Sequence, residues 1–147
     1  MSEQLKIYQH KVQYYETDQM GIVHHSNYIR WFEEARTDML EQIGMGYHVM
    51  EEKGVISPVL EVHAQYRSMT HFGDTVEILL QVKNYNGITL QLEYQVRDVV
   101  SKEIRCVGET KHCFLDKQGK LLSLKRSDNE VHQIFSKLKE ALLLQEM

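Results

Sequence analysis

Between residues 60 and 114 the sequence alternates apolar and polar side chains in four successive segments, and this pattern limits the chain to few folds. Leu60, Val62, Ala64 and Tyr66 alternate with Glu61, His63, Gln65 and Arg67. Val76, Ile78, Leu80 and Val82 alternate with Glu77, Gln81 and Lys83, with Leu79 breaking the rule. Ile88, Leu90, Leu92, Tyr94 and Val96 alternate with Thr89, Gln91, Glu93, Gln95 and Arg97, and Ile104, Cys106, Gly108 and Phe114 continue one face of a fourth segment. Successive side chains of a strand point to opposite faces, so a period of two marks strands with one buried face, as in antiparallel sheets. Tyr85-Asn86-Gly87 is a hairpin signal between the second and third segments. Short polar breaks at residues 98–102 and 116–120 indicate further tight connections.

A sheet with one apolar face needs something to cover it, and the preceding segment supplies it. Tyr28, Phe32, Ala35, Met39 and Ile43 recur at helical spacing, joined by Ile29, Arg36 and Leu40. Ser26 or Asn27 is the expected N-cap, and Gly44 and Gly46 supply the stop. So wide an apolar face predicts a helix wrapped by the sheet. Residues 5–14 read as a first strand, with Tyr8, Val12 and Tyr14 on one side. The last segment opens with the capping box Ser127-Asp128-Asn129-Glu130, followed by Val131, Ile134, Phe135, Leu138 and Leu142 on one face. Strand, helix, four strands, helix is an α+β arrangement, and with no repeat or linker the 147 residues are expected to form one domain, 1–147.

Composition excludes some functions. The formal net charge is −4, with no basic field for nucleic acid. No apolar run approaches the ~18 residues of a membrane span, and the first residues lack a signal-peptide pattern. Cys106 and Cys113 fall in one expected strand, where seven residues span about 23 Å, beyond disulfide reach. Free thiols fit a cytoplasmic protein.

The chemistry gathers at residues 16–28. Asp18 precedes a helix start by a few residues, with Gly21 at the turn between. A helix N-terminus carries unpaired N–H groups and about half a positive charge, so it attracts a developing oxyanion. A carboxylate opposite such a donor can attack a carbonyl or activate water to do so. In isolation Asp-x-x-Gly is a common turn, and Tyr28 is ordinary core at a helix start. His24 and His25 diverge by ~100° on a helix and have no third ligand spaced to join them, so no metal is expected. Glu33 and Arg36 suit an intrahelical ion pair.

The motif Thr17-Asp18-x-x-Gly21-x-Val23-x-His25-x-x-Tyr28, followed by Phe32-Glu33-x-Ala35-Arg36, resembles the signature of hotdog-fold acyl-CoA thioesterases of the 4-hydroxybenzoyl-CoA thioesterase type. The resemblance is nearest to the bacterial branch found beside the Tol–Pal genes. Tyr66-Arg67 and Gly73-Asp74 also match, while Ser68 replaces the family's usual proline. The resemblance implies a curved five-stranded antiparallel sheet around a central helix, with a C-terminal helix. It implies Asp18 and His25 as catalytic residues, the backbone N–H of His25 serving as oxyanion donor, with Gly21 and Tyr28 contacting substrate. It implies an acyl-CoA substrate, no cofactor, and a homodimer or homotetramer with active sites between subunits. Coenzyme A phosphates would need cations, for which Arg67, Arg97, Arg105, Lys125 and Arg126 are candidates.

One carboxylate and one oxyanion donor suffice for a thioester, because a thiol of pKa ~8.5 departs with little acid assistance. Two rivals remain. A hotdog dehydratase or hydratase resembles a pattern with a proline-rich turn before the central helix, and this chain has only Pro58. A non-catalytic module binding acyl-CoA or acyl carrier protein would not need Asp18.

Overall fold

In the computed structural model, which describes residues 5–140, five strands form one antiparallel sheet. They are β1 (Tyr8–Lys11), β2 (Val59–Tyr66), β3 (Thr75–Tyr85), β4 (Thr89–Asp98) and β5 (Ile104–Cys113). Their spatial order is β1-β3-β4-β5-β2, so β1 and β2 are the edges. The long helix α1 (Ser26–Gln42) enters between β1 and β2 in sequence, followed by the short α2 (Tyr47–Glu52). After β5 come α3 (Leu124–Ser127) and α4 (Asn129–Leu138).

The alternation sets the register. Ile78 faces Val96, Leu80 faces Tyr94, and Tyr94 faces Gly108 across the ladders. These rows make the inner face, on which Trp31 and Phe32 of α1 are completely buried. The Phe32 ring stacks on Tyr94 with centroids 4.4 Å apart. A Cβ at Gly108 would lie 2.5 Å from that ring, so only glycine lets the helix come this close. Bulges at Val82/Asn84 and Val96/Arg97 bend the strands around the helix. A curved sheet wrapped around one helix is the hotdog fold.

Gly44, at φ +79, ends α1. Its N–H donates to Glu41 and the N–H of Met45 to Leu40, the paired bonds that close a helix on a left-handed glycine. The expected hairpin turn is also present: Asn86 Oδ1 takes the N–H groups of Ile88 and Thr89, and Gly87 has φ +89.

Several expectations are corrected. The first strand is only Tyr8–Lys11. Lys6 gives its backbone groups to the Gln42 side chain instead, at 2.8 and 3.0 Å. At the other end the chain turns into a 3-10 helix, Tyr14–Glu16, because the Glu16 carboxylate accepts from the Gln13 N–H. Tyr14 is therefore 77% exposed rather than inward. The cap of α4 is Asp128, whose side chain accepts from Val131; Ser127 belongs to α3, and Glu130 meets Lys53 rather than completing a box. Leu142 lies outside the described residues. The expected buried face of β2 is open: Leu60, Val62 and Tyr66 are 51%, 42% and 45% exposed. Both α2 and α3 are too short to leave a periodic signal.

Candidate active site

The loop between the 3-10 turn and α1 is clipped shut at each end. A bridge pairs Thr17 with Val23, and the Asp18 N–H donates to Ile22 O at 2.8 Å. Within it, the Gly21 N–H returns to Asp18 O at 3.0 Å, with Gly21 at φ +78. The Asp18 carboxylate takes part: Oδ1 accepts from the Met20 N–H at 2.8 Å. Its Oδ2 has no partner among the described residues. The turn thus engages one oxygen of Asp18 and leaves the other open.

Glu16 anchors the loop from beneath. Its carboxylate accepts from His10 Nε2, the Gln13 N–H and Trp31 Nε1, each at 2.8 Å. Its carbonyl accepts from the His24 N–H at 2.8 Å and from Asn27 Nδ2 at 2.9 Å. Burial works to raise the Glu16 pKa, but the three donors outweigh it and hold the carboxyl below its ordinary value.

The helix start differs from the expected cap. His25 already has helical φ and ψ, and neither Ser26 nor Asn27 caps. The residue before, His24, does so: its carbonyl accepts from Asn27 N–H at 3.0 Å and its ring Nδ1 from Ser26 N–H at 3.3 Å. Asn27 is buried in the first turn, tied to Glu16 and to Arg30. The backbone N–H of His25 has no acceptor among the described residues.

An open groove of about 860 Å³ runs over this region, lined among others by Tyr14, Asp18, Gly21, His24, Asn27 and Arg30. The structure therefore brings Asp18 and Gly21 together with the helix start. The side chains of His25 and Tyr28 do not line this groove. His25 is exposed and stacks on His24 at 4.2 Å, with Tyr66 at 5.9 Å. Tyr28 is buried, 5.4 Å from Tyr66, and its hydroxyl bonds Thr70 at 2.9 Å.

Glu16 and Arg30 were missed from sequence, since an acid in a loop and an arginine on a helix carry no pattern of their own. Of the expected cations, Arg97 pairs with Glu77 and Arg105 with Asp98 and Glu103. Arg36 and Glu33 approach to 3.4 Å, as the spacing predicted. Among the described residues no three His, Cys, Asp or Glu side chains are grouped to hold a metal. Cys106 and Cys113 are free and buried, and burial pushes the Cys106 thiol up to about 12.

A carboxylate on a glycine turn beside a helix start, on a sheet wrapped around that helix, defines a hotdog protein of the thioesterase class. The chain belongs to the thioesterase-like superfamily, whose family model matches residues 12–142. It is 33% identical over 131 residues to YneP of Bacillus subtilis, a provisionally named acyl-CoA thioesterase, covering 88% of this chain and 94% of that one. A crystal structure of a hypothetical protein from Aquifex aeolicus superposes with TM-score 0.80 at 34% identity, covering 88% and 98% of the two chains. The DHNA-CoA thioesterase of Staphylococcus aureus gives TM-score 0.84 at 29% identity, covering 91% and 90%.

Proposed function

We propose that the protein hydrolyses acyl-CoA thioesters to a free carboxylic acid and coenzyme A. The observation that carries this reading is a free Asp18 oxygen and a His25 N–H, each without a partner among the described residues, on two segments clipped together through Glu16. The names of its relatives as acyl-CoA thioesterases support it. Within the superfamily, the motif's likeness supports the reading that the chain is of the 4-hydroxybenzoyl-CoA type, in the Tol–Pal-associated branch.

In this reading the His25 N–H, reinforced by the α1 dipole, takes the thioester oxygen as negative charge develops there. Asp18 either attacks the carbonyl, giving an acyl-aspartyl anhydride that water then cleaves, or draws a proton from the attacking water. In both routes the C–S bond breaks and coenzyme A leaves as thiolate. Gly21 keeps the turn open to substrate, Tyr28 and Tyr66 shape the wall beside His25, and Arg30 offers a cation to the phosphates. The whole chain acts as one domain, 1–147, assembled as a homodimer or homotetramer, and its buried free thiols favour the cytoplasm.

Thiol release from acyl-CoA, followed with a thiol-reactive dye, tests the proposal. Asp18→Asn keeps the shape and should fold normally while losing most turnover; a near-wild-type rate would end the hypothesis. His25→Ala leaves the amide in place and should cost only about tenfold, ~1.4 kcal/mol. His25→Pro removes the N–H at a φ of −56 that proline accepts, so it should cost on the order of 10²–10³.

A further inference from the structure

A second cavity, of about 610 Å³, lies toward the far end of α1. Leu40, Met45, Met50, Val55 and Phe135 make it apolar, and Arg36 and His112 line it as well. Arg36 is ten residues beyond Ser26, about 15 Å along the helix axis, so within one chain this is a different place from the Asp18 groove. Its size suits a small organic ligand.

Both basic residues carry buried atoms with no hydrogen-bond partner. His112 is 1% exposed and its Nδ1 is unpaired; Nη1 of Arg36 is buried and unpaired too. Buried donors without acceptors are rare, so two together on one cavity ask for an explanation. The protons can be placed from the adjoining hydroxyls. Tyr94 OH lies 2.7 Å from Thr110 Oγ1, which lies 2.8 Å from His112 Nε2. The Tyr94 hydroxyl has no other acceptor among the described residues, and Arg36 acts on it both as a charge and as a neighbouring side-chain donor. Its proton therefore goes to Thr110, the Thr110 proton to Nε2, and the ring hydrogen of His112 sits on Nδ1. Burial, reinforced by Arg36, pushes the His112 pKa down to about 4, so this neutral form persists at pH 7. Both unpaired atoms are donors.

We propose that this cavity binds a free carboxylic acid with an apolar body, its carboxylate accepting from Arg36 Nη1 and His112 Nδ1. Two donors without acceptors fit an anion that only accepts; Glu51 also lines the cavity and opposes a carboxylate, but Lys117 lines it too, so those two side chains offset one another in charge. Glu33 meets Arg36 Nη2 only loosely, at 3.4 Å, and is itself 62% exposed, so it screens the charge weakly. The chain or ring of the acid lies against Leu40, Met50 and Phe135. The inference stands on the cavity and its donors, whatever Asp18 does.

Isothermal titration at pH 7.5 with decanoate and with decanol tests it, alongside Arg36→Met, His112→Phe and Asp18→Asn. Decanoate should bind once per chain and at least about tenfold more tightly than decanol, a difference of ~1.4 kcal/mol. Arg36→Met and His112→Phe should each weaken decanoate by a similar factor and leave decanol unchanged. Asp18→Asn should bind decanoate normally even where it has lost hydrolysis, which separates this site from the reaction. In the wild-type protein, decanoate should shift the Nδ1–H resonance of His112, a readout that no variant's folding can obscure. No decanoate binding, equal affinity for decanol, an unmoved Nδ1–H resonance, or loss of binding in Asp18→Asn would each overturn the proposal.

Discussion

Glu16 shows how much one side chain can organise. It sits two residues from Asp18, fully engaged by His10, Gln13 and Trp31, while its carbonyl holds His24 and Asn27. Replacing it by Gln keeps the volume but turns one acceptor into a donor that faces donors. A hydrogen bond to a charged group contributes about 1.5–3 kcal/mol, so Glu16→Gln should destabilise the fold by about 2 kcal/mol. The pH dependence has a definite sign. The folded pKa is depressed, so the unfolded chain binds the proton more readily, and the stabilisation is full above the unfolded value of ~4.3. It is lost as pH falls through the folded pKa. Urea unfolding from pH 7 downwards should show the gap between wild type and Glu16→Gln holding to about pH 5 and narrowing below ~4. A gap that widens in acid would contradict this account.

At the scale of elements, the contact that sets the spacing of helix and sheet is Phe32 against Gly108. A methyl group there would meet the ring at 2.5 Å and the His63 carbonyl at 2.7 Å. Overpacking of this kind costs about 1–3 kcal/mol, so Gly108→Ala should lower the urea midpoint accordingly. Adding Phe32→Leu should recover part of that loss in a double-mutant cycle, because it relieves the ring contact but not the backbone one. Strict additivity of the two substitutions would show that the strain lies in the strand backbone alone.

For the whole molecule, the open question is what covers β2. One side of the strand pairs with β5 while the other edge has no partner strand among the described residues, and its apolar face is half exposed. An unpaired, apolar edge is a template for another chain. Two copies related by a two-fold axis would close it with the same patch from each. Light scattering at micromolar concentration should therefore give at least twice the single-chain mass, and Val62→Lys should shift the population towards monomer. A wild-type protein of single-chain mass would remove the argument.

The sequence by itself determined the strands β3 to β5, the helix α1, its glycine stop and the Asn86-Gly87 turn, because each rests on local periodicity or on one residue's backbone preference. It also singled out Asp18 and Gly21, whose spacing is short enough to be fixed by the loop alone. Only the tertiary structure decided the rest. Tyr14 turns outward because a carboxylate two residues on captures Gln13. The cap falls to His24 because Glu16 holds its backbone. Thr110 and His112 lie on the inner face, where period two should have put apolar residues, and the Tyr94 hydroxyl reaches Thr110 while the Arg36 charge acts on His112. Glu16 reaches Trp31 across 15 positions and Arg36 acts on His112 across 76, and no local pattern encodes an interaction whose other half arrives only when the sheet closes around the helix.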